Sequence, residues 1–288
     1  MNTLLLYVTT VFVWGASWIA IKAQGSIDPE LSVIYRFVIA AACMFFWCWA
    51  KSLPIKFTKR EHFFIAMQGV FLFSTNFFFF YHASYYLTTG LLAVVFSMAS
   101  TMTLIIRSVL LRQLPQPFVV VGVLMGATGI GLIFWPEIQT LDLEASALKG
   151  LVLSIFATCC FSVGSVFSAR NQSAGISVRG GSAWGMVYGV IWLNILLLFR
   201  GGSYHFDYSV TYVSALLFLA MFATVVGFAC YFALQKRVGA EQAAYTTVLF
   251  PIVALAISTV IEDYQWSLLA FSGVAMTLLG NFFVLSKR

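Results

Sequence analysis

The chain is poor in charge, and that scarcity removes more possibilities than any motif does. Only 9% of its 288 residues are Asp, Glu, Lys or Arg, whereas a water-soluble domain carries about a quarter. Soluble classes drop out, in keeping with a mean hydropathy of +0.94. Acids are the rarer sign, and none of the long apolar runs holds an Asp or Glu in its interior. A cation crossing hydrocarbon needs such a carboxylate as counter-charge, so cationic drugs are poor substrate candidates and carboxylate-mediated proton exchange is disfavoured. His62, His82 and His205 lie far apart with no HExxH spacing, and no Ser-His-Asp set forms inside the runs, which argues against a metal site or a membrane hydrolase. No GxxxxGK[ST] stretch exists to bind nucleotide. Cys43, Cys48, Cys159, Cys160 and Cys230 fall inside apolar runs without CxxC or zinc spacing, and read as reduced buried thiols. No cofactor is implied.

What the chain has is long apolar runs. They recur at about 20 residues each, enough for a helix to cross about 30 Å of hydrocarbon. They are continuous, as in Leu148–Ala169, not alternating as in a membrane β-barrel. The reading is an all-α polytopic membrane protein with ten spans, near 3–22, 31–50, 62–85, 89–111, 116–135, 148–169, 181–199, 211–234, 242–261 and 267–285. The first run has no Lys or Arg before it and is too long for a signal peptide's apolar core, so it reads as a retained helix.

Ten crossings sort the connecting charges. One set of span ends collects Lys51, Lys56, Lys59, Arg60, Arg112, Arg170, Arg179, Lys236, Arg237, Lys287 and Arg288, with Glu61 and Glu241 as the acids. The other collects Asp28, Glu30, Glu137, Asp142, Glu144, Asp207, Glu262 and Asp263 against Lys22, Lys149 and Arg200. Basic ends face the cytoplasm, so both termini are expected there, in a bacterial inner membrane. The net charge of +6 then reflects topology rather than a nucleic-acid partner.

The sorting also exposes an internal repeat. Val109-Leu110-Leu111-Arg112-Gln113, Gly122-Val123, Gly129 and Glu137 match Val260-Ile261-Glu262-Asp263-Tyr264, Gly273-Val274, Gly280 and Arg288 at an offset of 151. Arg112 meets Asp263 and Glu137 meets Arg288, so the charges change sign between the copies. Two five-helix repeats are expected, 1–135 and 148–288, inverted relative to each other and joined by an acidic linker at 136–147 on the periplasmic side. Inverted repeats around a central cavity are a transporter architecture. A polytopic enzyme lacks its catalytic residues here. A channel usually assembles identical chains around its pore, whereas this repeat supplies pseudo-symmetry within one chain, so a monomer is expected to suffice.

Short motifs add a resemblance. Val13-Trp14-Gly15-Ala16-Ser17 followed by Lys22, then Tyr35-Arg36-Phe37, Gly239-Ala240, Leu249-Phe250-Pro251, Ile261-Glu262 and Gly273 together resemble the drug/metabolite transporter superfamily in its ten-helix, two-repeat (EamA-type) branch. Within it the chain looks similar to bacterial aromatic amino-acid exporters. The first repeat departs from the pattern, with Ser100 near the place matching Pro251 and Leu111 at that matching Glu262. The resemblance implies a basket of ten helices that opens alternately to the two sides and exports small metabolites, commonly amino acids.

Candidate cavity residues follow from helical spacing. Gln68, Thr75, Phe79, His82 and Tyr86 share a face of the third span, bordered by Asn76. His82 is the titratable group deepest in a span, suited to donating to a substrate carboxylate or bonding a neighbouring helix. Trp14, Ser17 and Trp18 share a face of the first span; Ser162 and Ser165 hold comparable places in the sixth. Ser97 and Thr101 lie four apart in the fourth span, Tyr231 ends the eighth and Tyr245 begins the ninth. Rings with scattered hydroxyls suit a flat, partly apolar solute, although many aromatics must face lipid. Arg36 has two open readings: a clasp for a substrate carboxylate, or a snorkelling residue paired with Asp28 or Glu30. Pro251, Gly239, Gly227 and Gly90 are candidate hinges, or static kinks that improve packing.

Overall fold

The structure is a computed structural model that describes residues 2–110, 112, 114, 116–135, 146–238 and 246–286. Most of the expected linker, together with Gly239, Glu241, Tyr245, Lys287 and Arg288, lies outside the described residues. Within them the chain forms ten helical rods and no strand. We number them α1 (Thr3–Lys22), α2 (Pro29–Ala50), α3 (Lys59–Ala83), α4 (Thr89–Leu110), α5 (Pro117–Ile133), α6 (Ser146–Ser173), α7 (Val178–Phe199), α8 (Val210–Leu217, continuing through Phe218–Val226 and Gly227–Val238), α9 (Thr246–Ile261) and α10 (Leu268–Ser286). Seven are long and apolar enough to cross a membrane; α5, α9 and the Leu268–Val284 stretch of α10 are apolar but shorter.

Local chemistry sets the ends. Thr58 and Glu61 form a reciprocal cap at the start of α3, Ser177 and Ser209 cap α7 and α8, and proline opens α2 and α5. These residues satisfy or remove amide donors that a helix start leaves free. Two rods depart from regular geometry. In α3 the turn Phe71–Thr75 is π-helical, and in α8 Phe218–Val226 is π-helical. Such turns hold one extra residue and gather at functional sites.

The main helix pairings are α1 with α8 and α9, α6 with α3 and α4, α2 with α7 and α8, α3 with α7, α4 with α9, and α5 with α10. Exchanging α1–α5 for α6–α10 returns this same set. The α5–α10 contact is reciprocal at residue level. A side chain on Gly122 would sit 3.0 Å from the Gly280 carbonyl oxygen, and one on Gly280 would sit 3.0 Å from that of Gly122. Gly129 and Gly273 stand in the same mutual relation at 2.5 Å, so only glycine permits these backbones to touch.

The two ends of the bundle are tied differently. At the end bearing Lys22 and Glu262, Lys22 bonds Glu262 at 2.5 Å and Ser26 donates to Asp207 at 2.6 Å. There Tyr35 also donates to the His205 carbonyl, and Arg200 pairs with Glu30. At the opposite, basic end, Ser177 and Trp184 donate to the carbonyls of Pro54 and Ile55, and Tyr188 bonds His62.

Candidate binding cavity

Between the two tied ends lies a cavity of about 350 Å³ lined by residues of α1–α4 and α6–α9. Its closed end, toward Lys22 and Glu262, is a packed aromatic cluster. Trp18 meets Phe80 edge-on at 5.0 Å and Phe96 at 5.7 Å, and Phe80 meets Phe96 at 5.4 Å. Its other end reaches Ala169 and Gln172, which are exposed toward the basic end of the bundle.

The π-helical segment of α8 orders one wall. A π turn shifts the backbone hydrogen-bond pattern, and two cavity side chains dock on this stretch. The Trp14 indole donates to the Ala223 carbonyl at 3.2 Å, and Arg36 Nε donates to Thr224 Oγ1 at 3.2 Å. Trp14 also stands 5.1 Å from Tyr231 and 5.5 Å from Phe228, edge to ring or tilted. Neutral polar side chains are spread around the cavity: Ser17, Gln68, Asn76, Ser100, Thr103, Ser165, Ser168, Gln172, Ser182 and Thr247. Among the described residues no Asp or Glu lines it.

Of the residues expected from spacing, Trp14, Ser17, Trp18, Gln68, Asn76, Ser165, Tyr231 and Arg36 line this space. The others that are described lie elsewhere. His82 sits at the Lys22–Glu262 end, 3.9 Å from Glu30 and packed on Phe78. Phe79 packs on Phe156, and Tyr86 is exposed. Thr75 is in the π turn. Ser97 and Thr101 join α4 to α10: the Ser97 carbonyl accepts from Asn281, and the Thr101 hydroxyl donates to Asn281. Ser162 donates to the Ala99 carbonyl, fastening α6 to α4. Among the hinge candidates, Gly90 and Gly227 are points of close approach, to Leu255 of α9 and to Trp14, and Pro251 lies inside the unbroken helix α9.

The misplaced face of α3 has a physical cause. The wheel over Gln68, Thr75, Phe79 and His82 assumes 3.6 residues per turn throughout. The π turn at Phe71–Thr75 inserts a residue, so beyond it the inward face moves on by one, to Asn76 and Phe80, with Phe77 beside them. Spacing also missed Phe96, Phe161 and Phe250, because 29 phenylalanines in one chain make any single ring uninformative.

For Arg36 the structure bears on the snorkelling and ion-pair reading. Its side chain is buried, 4% exposed, so it does not snorkel. Glu30 bonds Arg200 instead, and none of the ion pairs among the described residues includes Arg36.

An all-helical bundle with membrane-length apolar rods and a chamber of about 350 Å³ between them has the make-up of a membrane transporter. Comparison with known proteins narrows this: the chain belongs to the EamA-like transporter family, whose model matches residues 1–135 and again 148–286. It is 24% identical to Protein PagO of Salmonella typhimurium over 99% of this chain and 93% of that one. It is 29% identical to the uncharacterized transporter YetK of Bacillus subtilis over 90% of this chain and 78% of its relative. It is 21% identical to a probable amino-acid metabolite efflux pump of Escherichia coli, covering 96% and 92% of the two chains. A crystal structure with 15% identity superposes over 98% of this chain and 96% of the other with a TM-score of 0.67, a likeness of fold. The family description and the names of the Bacillus subtilis and Escherichia coli relatives denote transporters rather than enzymes.

Proposed function

We propose that the protein exports small metabolites from the cytoplasm by alternating access without ATP, and that its substrates are amino acids, aromatic ones among them. In this reading the ten rods are ten membrane crossings, arranged as the inverted repeats 1–135 and 148–288 about the linker 136–147. Both termini are cytoplasmic, in a bacterial inner membrane, and one chain suffices. The carrying observation is the cavity between the halves, sealed at one end by Trp18, Phe80 and Phe96 and reaching exposed residues at the other. With the basic end inside, that opening faces the cytoplasm, the side from which an exporter loads.

The repeat is supported by the exchangeable helix pairings, by the mutual Gly122–Gly280 and Gly129–Gly273 contacts, and by the family model matching twice. An amino-acid substrate is supported by the name of the Escherichia coli relative and by a chamber of suitable size. The ring lining, and the absence of acids among the described lining residues, favour an aromatic solute without net positive charge. In proteoliposomes, labelled phenylalanine or tryptophan should equilibrate only when the protein is present, with saturation and counter-stimulation that a pore would not give. Absence of flux for every amino acid would remove the substrate.

A further inference from the structure

Arg36 is 4% exposed and lines the cavity, yet its Nη1 has no hydrogen-bond partner. Its other fixed contacts are neutral: Thr224 at Nε, the Tyr81 hydroxyl nearby, and the faces of Phe77 at 4.4 Å and Phe37 at 5.3 Å. A guanidinium keeps its charge under any physiological condition. Burying it with a donor unused is costly unless something arrives to accept. Asn76, 1% exposed, lines the same chamber with its side-chain oxygen also unpartnered. It adjoins Phe77, on whose ring the guanidinium rests. Two residues that line the chamber thus each carry a buried, unsatisfied polar atom, a cationic donor on Arg36 and a neutral acceptor on Asn76.

We infer that Arg36 binds the carboxylate of the transported solute and that Asn76 accepts from its ammonium or amine. The pair is complementary to a zwitterion and leaves the rest of the solute to the aromatic wall. An amine without an acid would place a second cation beside Arg36, with no carboxylate among the described lining residues to compensate. This assignment deepens the amino-acid reading and rests on it for the identity of the cargo.

The test is equilibrium binding by titration calorimetry to the purified full chain, using phenylalanine, 3-phenylpropionate, phenethylamine and uridine. The ring is constant through the first three, so only the charged groups vary. Wild type should bind phenylalanine best and 3-phenylpropionate next, with phenethylamine weaker by about tenfold or more, the equivalent of one charge-assisted hydrogen bond. Arg36→Gln should erase the preference for the two carboxylates, and Arg36→Lys should restore part of it. Asn76→Ala should narrow the gap between phenylalanine and 3-phenylpropionate while leaving phenethylamine last. A monodisperse elution profile for each variant guards against loss of fold. Equal binding of phenethylamine, no binding of either carboxylate, or an Arg36→Gln protein that keeps its preference would each overturn the assignment. Proteoliposome flux separates this from failure of the transport reading: uridine flux without carboxylate binding sinks only the site, and carboxylate binding without any flux sinks only the transport.

Discussion

Arg112 and Asp263, 151 positions apart, both hold the left-handed backbone conformation, with φ of 53° and 52°. Each follows the end of a rod, α4 in one case and α9 in the other. A second pair does the same after α2 and α7, where Ser52 has φ 48° and Gly201 has φ 70°. In both of the latter turns the next amide reaches back to close the helix, Leu53 to the Cys48 carbonyl at 2.8 Å and Gly202 to that of Leu197 at 2.9 Å. Left-handed residues other than glycine are uncommon. Their recurrence after α2 and α7, and again after α4 and α9, is a backbone observation that supports the proposed repeat.

If the copies are inverted in the membrane, Arg112 and Asp263 belong to opposite faces. Single cysteines replacing each, in a background without the five native cysteines, should react with an impermeant maleimide from opposite sides of a sealed vesicle. Labelling of both from one side would dissolve the inverted repeat and the alternating-access proposal with it.

The Ser52–Gly201 pair predicts a stabilising substitution. A side chain in the left-handed region costs about 1–2 kcal/mol, and the repeat partner has already discarded it. Ser52→Gly should raise the midpoint of thermal unfolding in detergent, by an amount corresponding to about 0.5–1 kcal/mol after the added freedom of the unfolded chain is subtracted. Gly201→Ser should lower it. Opposite shifts would mean that the Ser52 turn is held by something other than its backbone bonds.

The apolar rods could be read from the chain because they rest on local signals, and the proposed repeat rests on signals of the same kind. A run of apolar residues sets a span, and a Lys or Glu at its end reports a side whatever the interior packing does. The cavity was legible only where the helix is regular. Trp14, Ser17 and Trp18 on α1 line it as spacing suggested, since α1 is unbroken from Thr3 to Lys22. On α3 the reading held at Gln68 and slipped by one residue beyond the π turn, a backbone event with no composition of its own. Arg36 was ambiguous for another reason: whether Glu30 pairs with it or with Arg200 depends on a loop distant in sequence.

The slip makes a contrast on neighbouring residues. Phe80 belongs to the aromatic seal, whereas Phe79 packs on Phe156 outside it. Phe80→Ala should increase labelling of a Ser17→Cys reporter from the Lys22–Glu262 side several-fold, and Phe79→Ala should leave it near the parent rate. His82→Ala should likewise leave substrate affinity unchanged, because His82 meets Glu30 and Phe78 rather than the chamber. Equal effects of the two phenylalanine variants would place the seal elsewhere.

The last expectation concerns what locks the sealed end. Glu262, just beyond α9, has a nearly buried carboxylate that accepts from Lys22 at 2.5 Å and from the Thr89 amide and hydroxyl at 2.9 and 2.6 Å. It thereby ties α1, α4 and α9 at one point. Burial by itself pushes its pKa up, but the bonds from Lys22 and Thr89 outweigh burial and leave it below the ordinary value of 4.5. A depressed carboxylate contributes its full stabilisation above the unperturbed value and loses it as pH falls through the lowered one. The lock should therefore be complete at neutral pH and weaken only below about pH 4.5. Hydrogen bonds to a charged group contribute about 1.5–3 kcal/mol, and the half-exposed Lys22 puts this one toward the lower end through solvent screening. Glu262→Gln should mimic acid at pH 7, exposing the Ser17→Cys reporter to reagent from that side about tenfold more. The residue 151 positions before Glu262 is Leu111, which has no carboxylate to titrate. Acidification should consequently favour opening at the Glu262 end alone, and an acid-induced rise in labelling from the basic side of equal size would refute the assignment of the lock to this residue.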